Sequence, residues 1–172
     1  PDLIAGWNNN LTYKDFFASV LINGKFGGVA FSKTEAFLDS YGVSQRTADA
    51  RAGATIPINA ISSTGTAVTS IDPAVYYSAI GDRNGIMEPY VFSRTNIRLG
   101  QLALGYTLKM KNASLPIKSA SFSLVGRNLF FFFKEAPFDP EQSMSTGNGM
   151  QSNDVFGMPS TRSVGFNIKL TF

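Results

Sequence analysis

The stretch Ser163–Phe172 constrains the fold more than any other part of the chain. Val164, Phe166, Ile168, Leu170 and Phe172 are apolar, while Ser163, Gly165, Asn167, Lys169 and Thr171 between them are small or polar. Successive side chains of a β-strand point to opposite sides, so this period of two predicts a strand with one side on something apolar and the other on water or polar groups. Lys169 and Asn167 share the polar side.

The same alternation recurs upstream. Residues 119–129 set Ala120, Phe122 and Leu124 against Ser121, Ser123 and Arg127, and residues 96–108 set Leu102, Leu104, Tyr106 and Leu108 against Gln101, Ala103, Gly105 and Thr107. Residues 16–26 oppose Phe16, Ala18, Val20, Ile22 and Phe26 to Ser19, Asn23 and Lys25, and residues 5–13 oppose Trp7, Leu11 and Tyr13 to Asn8, Asn10 and Thr12. The fold class expected is all-β, an antiparallel meander of five strands.

The connectors alternate in length. Tyr13–Phe16 is a tight reversal and Lys109–Lys118, with Asn112 and Pro116, a short polar one; residues 27–94 and 130–161 are long. In a meander this gathers the short turns at one end and the long loops at the other, which is the asymmetry of outer-membrane barrels. The first long loop carries helix signals. Ser32 and Glu35 fit a capping box ahead of Phe37, Leu38 and Tyr41, with Gly42 as a stop, and Asp72-Pro73 opens a second helix that ends at Ile80-Gly81 before an Asn84-Gly85 turn.

Inventory removes many chemistries. With no Cys and no His there is no zinc finger, no thiol or imidazole nucleophile and no Ser-His-Asp triad. No cofactor is expected, and a net charge of +3, dispersed along the chain, gives no ground for nucleic-acid binding. Pro1-Asp2-Leu3 resembles neither a start methionine nor a basic leader, so a mature or truncated chain is expected. The apolar run Leu129–Phe133 falls far short of the roughly 20 residues of a membrane helix, whereas a barrel strand needs only about 9–11 of alternating character.

Five strands cannot close a barrel, which takes about eight at the least, and an unpaired strand edge in hydrocarbon is costly. The chain is therefore expected to be part of a larger barrel or else a soluble β-sandwich. Tyr13, Phe16 and Phe172 gather at the short-turn end and Trp7, Phe26 and Phe130 at the other, as the two aromatic girdles of a membrane barrel do. In the sandwich alternative the same rings are core, and a soluble β-domain would bind carbohydrate through exposed aromatics.

Three segments resemble one family. Asn96-Ile97-Arg98-Leu99 running through Gly105-Tyr106-Thr107-Leu108, Gly126-Arg127-Asn128-Leu129-Phe130 followed by Ala136-Pro137-Phe138-Asp139-Pro140-Glu141, and Gly157–Ser163 leading into Phe166–Phe172 are similar, in order and spacing, to segments of the SusC/RagA class of TonB-dependent outer-membrane transporters. The resemblance covers essentially the whole chain. It implies that residues 1–172 form the C-terminal portion of a barrel of about 22 strands around a plug. It also implies a Gram-negative, Bacteroidota-like outer membrane and a SusD-like surface lipoprotein acting as a lid. The other partners implied are the rest of the barrel and plug, outer-membrane lipid, the TonB complex through a missing N-terminal part, and an oligomeric cargo, glycan first and peptide second. No catalysis is implied.

Candidate sites follow from these readings. Phe172, closing an alternating strand, resembles the signal read by barrel-assembly machinery, and a plain girdle ring is its other reading. Arg127 and Lys169 stand on the polar parity and are expected to face the lumen, toward the plug's carboxylates or the substrate. Arg98 and Arg162 fall on the lipid parity near the long-loop ends, where they would snorkel or meet lipopolysaccharide phosphates. Phe37, Tyr41, Tyr76, Tyr77, Tyr90 and Phe92 could stack on sugars, contact the lid or form a small core of the loop itself. Asp139, Glu141 and Asp154, near the Gly/Asn-rich stretch Ser143–Asn153, are oxygen ligands without calcium-loop spacing, so no metal site is expected. Asp139 and Glu141 stand two apart on an extended segment, hence on opposite sides, and are poorly placed for glycoside hydrolysis. Gly24, Gly27 and Gly28 lack the context of a nucleotide loop and are expected to bend the strand end.

Overall fold

The computed structural model describes residues 1–110, 116–142, 144, 145, 147 and 149–172. Asn112 and Ser143, named above, lie outside the described residues. In chain order the elements are β1 (Leu3–Tyr13), β2 (Phe16–Phe26), β3 (Val29–Ser32), α1 (Lys33–Ser40), α2 (Gln45–Ala52), β4 (Ile56–Ile61), β5 (Ala67–Ile71) and α3 (Pro73–Gly81). A 3-10 turn (Glu88–Tyr90), β6 (Val91–Ser93), β7 (Asn96–Lys109), β8 (Ser119–Lys134), β9 (Asn153–Asp154) and β10 (Ser163–Thr171) complete the order. The chain forms two compact units, one of residues 1–29, 93–141 and 158–172, the other of residues 30–92 and 142–157.

The first unit is the meander, a five-stranded sheet in the order β1-β2-β7-β8-β10 with antiparallel neighbours. β1 and β2 are joined through Lys14, which takes the left-handed conformation a two-residue hairpin turn needs. At the other end of β2, Gly27 and Gly28 both have φ near +76° and +77°, where a side chain is strained, and the strand bends out of the sheet there. β8 runs on through Lys134, past the Leu129 boundary expected from alternation, because Phe130, Phe131, Phe133 and Lys134 still pair with Leu99, Arg98, Ile97 and Asn96.

Three register shifts lie toward that end of the sheet. Leu21 pairs with Gln101 but Ile22 pairs with Leu99, leaving Gly100 as an extra residue on β7. Between the pairs Gln101–Arg127 and Leu99–Phe130, β8 in turn carries both Asn128 and Leu129 opposite Gly100. Asn128 sits at φ +51°. The one extra residue on β7 reverses the side-chain parity beyond it, whereas the two on β8 leave it unchanged; farther on, between Arg98–Phe131 and Ile97–Phe133, Phe132 is a single extra residue on β8 and reverses it there.

The second unit holds the three helices. Ser32 caps α1 by accepting from the Glu35 amide, Ser44 caps α2 through the Thr47 amide, and Asp72 caps α3 through the amides of Ala74 and Val75. Ala36, Ile80 and Tyr90 are buried together, with Phe31, Tyr76, Tyr77 and Met87 packed against them. β3 lies between β6 and β9, and β4 and β5 form a separate hairpin. α2 and this hairpin are elements that the sequence pattern does not announce.

Candidate functional site

Strand register turns the alternation of single strands into two continuous faces. Tyr13, Phe16, Tyr106, Phe122 and Ile168 are neighbours in one row across the sheet, and Leu11, Ala18, Leu104, Leu124 and Phe166 form the next. The Phe16 and Tyr106 rings stand 4.8 Å apart, a cross-strand aromatic pair. This face is uncovered: Leu104 is 50% exposed, Leu124 56% and Phe166 81%. A soluble sandwich would bury these side chains against a second sheet. Leaving them bare is the arrangement of a wall whose apolar side meets lipid.

The other face is polar. Its rows run Asn8–Leu21–Gln101–Arg127–Ser163, Asn10–Ser19–Ala103–Val125–Gly165 and Thr12–Phe17–Gly105–Ser123–Asn167, and the hydroxyls of Thr107 and Ser121 stand 2.9 Å apart beside Lys169. Arg127 and Lys169 thus share this face, and both are exposed on it.

Rings gather near the long-loop end of the apolar face. Trp7, Ile22, Leu99 and Phe130 share a row. The Phe130 and Phe132 rings meet edge-on at 4.9 Å, and Phe133 beside them is half exposed. Phe172 lies just past β10 at the opposite end, 69% exposed.

Arg98 requires a correction. Simple alternation puts it on the lipid parity with Leu102, but the Gly100 bulge sets it opposite Asn23, on the polar face. There its Nη1 lies 2.7 Å from Glu141 Oε2, while Glu141 Oε1 lies 3.0 Å from Lys25 Nζ. Glu141 bridges β2 and β7, and Arg98 is not a lipid-facing cation. The bridge escapes a reading of the sequence, although Lys25 and Arg98 at two strand ends and a Pro-Glu pair in the next loop are its visible parts.

Asp139 is bonded too: its Oδ1 accepts from the Glu141 amide and its Oδ2 from the Ser160 amide, each at 3.0 Å, and from the Ser160 hydroxyl. Burial pushes its carboxyl up, but those bonds and the nearby Arg98 charge outweigh it and hold the group below the usual carboxylate range. In the second unit Asp154 accepts from the Ser32 hydroxyl at 2.6 Å. Each of the three carboxylates has its own protein partners, and among the described residues no cluster suited to a metal is formed.

Of the loop aromatics, Tyr90 is fully buried and donates its hydroxyl to Asp39 at 2.8 Å, which takes it out of reach of cargo or lid. Burial, the bond to Asp39 and that carboxylate's charge raise its phenol above the ordinary range. Phe37 stacks on Phe156 at 6.0 Å, Tyr76 and Tyr77 meet edge-on at 5.3 Å, and Phe92 is half-buried. Tyr41 stands free, 78% exposed.

Over 177 aligned residues the chain is 29% identical to TonB-dependent receptor P3 of Formosa agariphila, covering 98% of this chain and 16% of that relative. Over nearly its whole length the sequence is thus similar to part of a TonB-dependent receptor. It also shares its fold with the RagAB peptide importer in the open-open state, at a TM-score of 0.65 and 18% identity, over 98% of this chain and 17% of that one. The chain therefore spans about a sixth of each of these two proteins. No family model matches it.

Proposed function

We propose that this segment is wall and rim of an active outer-membrane importer of oligomeric nutrients in a Gram-negative, Bacteroidota-like bacterium. The observation that carries the reading is the segregation of apolar and polar rows across five strands with the apolar rows uncovered. The work done is transport and not catalysis. Residues 1–172 stand as the C-terminal portion of the barrel. Further strands continue from the outer edges of β1 and β10, because bare backbone edges are not tolerated in hydrocarbon.

Cargo would be captured between the long loops and a SusD-like lipoprotein, then admitted when the TonB complex acts on a plug. Glycan is the first reading of the cargo, from the resemblance of the three sequence segments. Peptide is the second, supported by the importer that shares the fold. Tyr41 is the loop ring best exposed to stack on either.

Uptake tests the reading in the full-length receptor. Cells lacking it should lose energy-dependent uptake of labelled oligosaccharides, or of labelled oligopeptides if the second reading holds, and regain it on complementation. Unchanged uptake of both would overturn the importer reading.

A further inference from the structure

We propose that Ala136–Glu141 is an inward-turned shelf, fixed to the polar wall near the long-loop mouth, that narrows the passage past it. The inference rests on the reading of the polar face as luminal.

After β8 the chain turns back on itself: Lys134 Nζ donates to the Pro137 carbonyl at 2.9 Å and the Phe138 carbonyl at 3.3 Å. Beyond that turn the segment is packed down. Ala136 is 1% exposed and Asp139 8%, and Pro140 is among the most completely buried side chains. The direction of the turn is set by Glu141. Its carboxylate meets Lys25 on β2 and Arg98 on β7, and both of those stand on the polar face, Lys25 in the parity of Asn23 and Ser19, and Arg98 through the Gly100 bulge. A loop folding outward over the girdle could not reach the two cations together.

The shelf is fixed at further points. Arg94 Nε donates to the Pro140 carbonyl at 3.0 Å, and Asp139 ties in Ser160 from the chain leading to β10. The single charge of Glu141 also sits between two cations held on adjacent strands, so its loss leaves Lys25 and Arg98 repelling each other unscreened as well as freeing the segment. A fixed obstruction at the mouth sets which cargo cross-sections pass along this wall.

The test uses the full-length receptor in intact cells, and the absence of cysteine from this segment leaves introduced thiols unambiguous there. Gln101→Cys places a thiol on the polar face below the shelf. With Glu141 present, a bulky polyethylene-glycol maleimide added outside should label it far more slowly than a small maleimide. E141A should raise the bulky reagent's rate several-fold while changing the small reagent's much less. Independently, in the parent receptor a zero-length carbodiimide should join Glu141 to Lys25, detected by mass spectrometry of the purified protein, a measurement that needs no substitution. Failure of that crosslink, or an unchanged bulky-reagent rate in assembled E141A, overturns the shelf. The wall reading is scored separately by Phe166→Cys and Asn167→Cys: labelling of the first by a lipid-soluble thiol reagent and of the second by a water-soluble one upholds it whatever the shelf does.

Discussion

Gly105 lies directly beneath the ring of Phe17, its register partner across β2 and β7, and a Cβ built on it would come 2.2 Å from Phe17 Cζ and 2.8 Å from the Phe122 carbonyl oxygen. The ring occupies the space a side chain would need, which covers the strand backbone where glycine leaves it bare. G105A must displace the ring, an overpacking that costs about 1–3 kcal/mol. The expected result is a lower thermal transition of the assembled full-length protein, and G105A should cost less in an F17A background than in the parent, because the clash with the ring is gone and only the contact with the Phe122 carbonyl remains. A G105A receptor as stable as the parent would contradict this packing.

Phe166 and Asn167 are adjacent but lie on opposite faces of the sheet, so a charge should separate them. Arginine at mid-depth on the lipid side of a barrel costs roughly 2–4 kcal/mol, whereas an exposed polar site away from special contacts changes by about 0.5 kcal/mol or less. F166R should reduce stability or outer-membrane abundance strongly and N167R hardly at all. Equal effects would mean that the two faces are not in different surroundings.

In the second unit the weak point is Asp39, whose side chain is fully buried and accepts from Ser44 at 2.6 Å, Arg46 Nε at 2.8 Å and Tyr90 at 2.8 Å. Arg46 is partly exposed and can turn to water, but the Tyr90 hydroxyl stays buried, so removing the carboxylate costs its bonds and leaves that donor unsatisfied, about 1–3 kcal/mol for each buried group left without a partner. D39A should therefore open this unit, seen as new protease cleavage within residues 30–92 on intact cells while the sheet stays assembled. Y90F deletes one bond to a charged acceptor, about 1.5–3 kcal/mol, and should give a smaller increase in cleavage.

These contrasts show what the sequence could and could not disclose. The strands are legible because alternation needs no tertiary context: β10 announces itself from Val164, Phe166 and Ile168 alone. Single-residue bulges at Gly100 and Phe132 change no apolar count, yet each reverses parity beyond it, so alternation assigns Arg98 to the wrong face and ends β8 too early. Capping serines and aspartates mark α1 and α3, whereas α2, with little apolar surface in Gln45–Ala52, gives no periodicity to read. The Asp39 hub is invisible because Arg46 and Tyr90 reach it only through folding, and a buried tyrosine looks in sequence like an exposed one.

The Asp139 tie to Ser160 carries a pH signature. A carboxyl held below its usual range in the folded state contributes stability that is present above the ordinary value of 3.8 and is lost as pH falls through the lower folded value. Protection of the Ser160 and Glu141 amides from hydrogen exchange should therefore persist at pH 5 and above and fail only in acid below that ordinary value. D139N, with no charge to lose, should show weaker protection and none of this pH dependence. Protection lost between pH 5 and 7 in the parent would rule out the depressed carboxyl as its cause.

Phe172 extends the apolar parity of β10 beyond the last paired residue, Thr171, whose carbonyl accepts from the Lys118 amide at 2.7 Å. Two roles make different demands on its ring. A girdle aromatic acts in the assembled barrel, so F172S would lower thermal stability while the amount assembled stays near normal. A recognition element acts before assembly, so F172S would lower outer-membrane abundance several-fold, the molecules that do assemble would melt nearly as the parent does, and F172W or F172Y would restore abundance. The second pattern is the expected one, because the ring stands past Thr171, the last residue of β10 paired with β8. Normal abundance of F172S, compared with the parent by quantitative blotting of outer-membrane fractions, would leave the ring a girdle residue only.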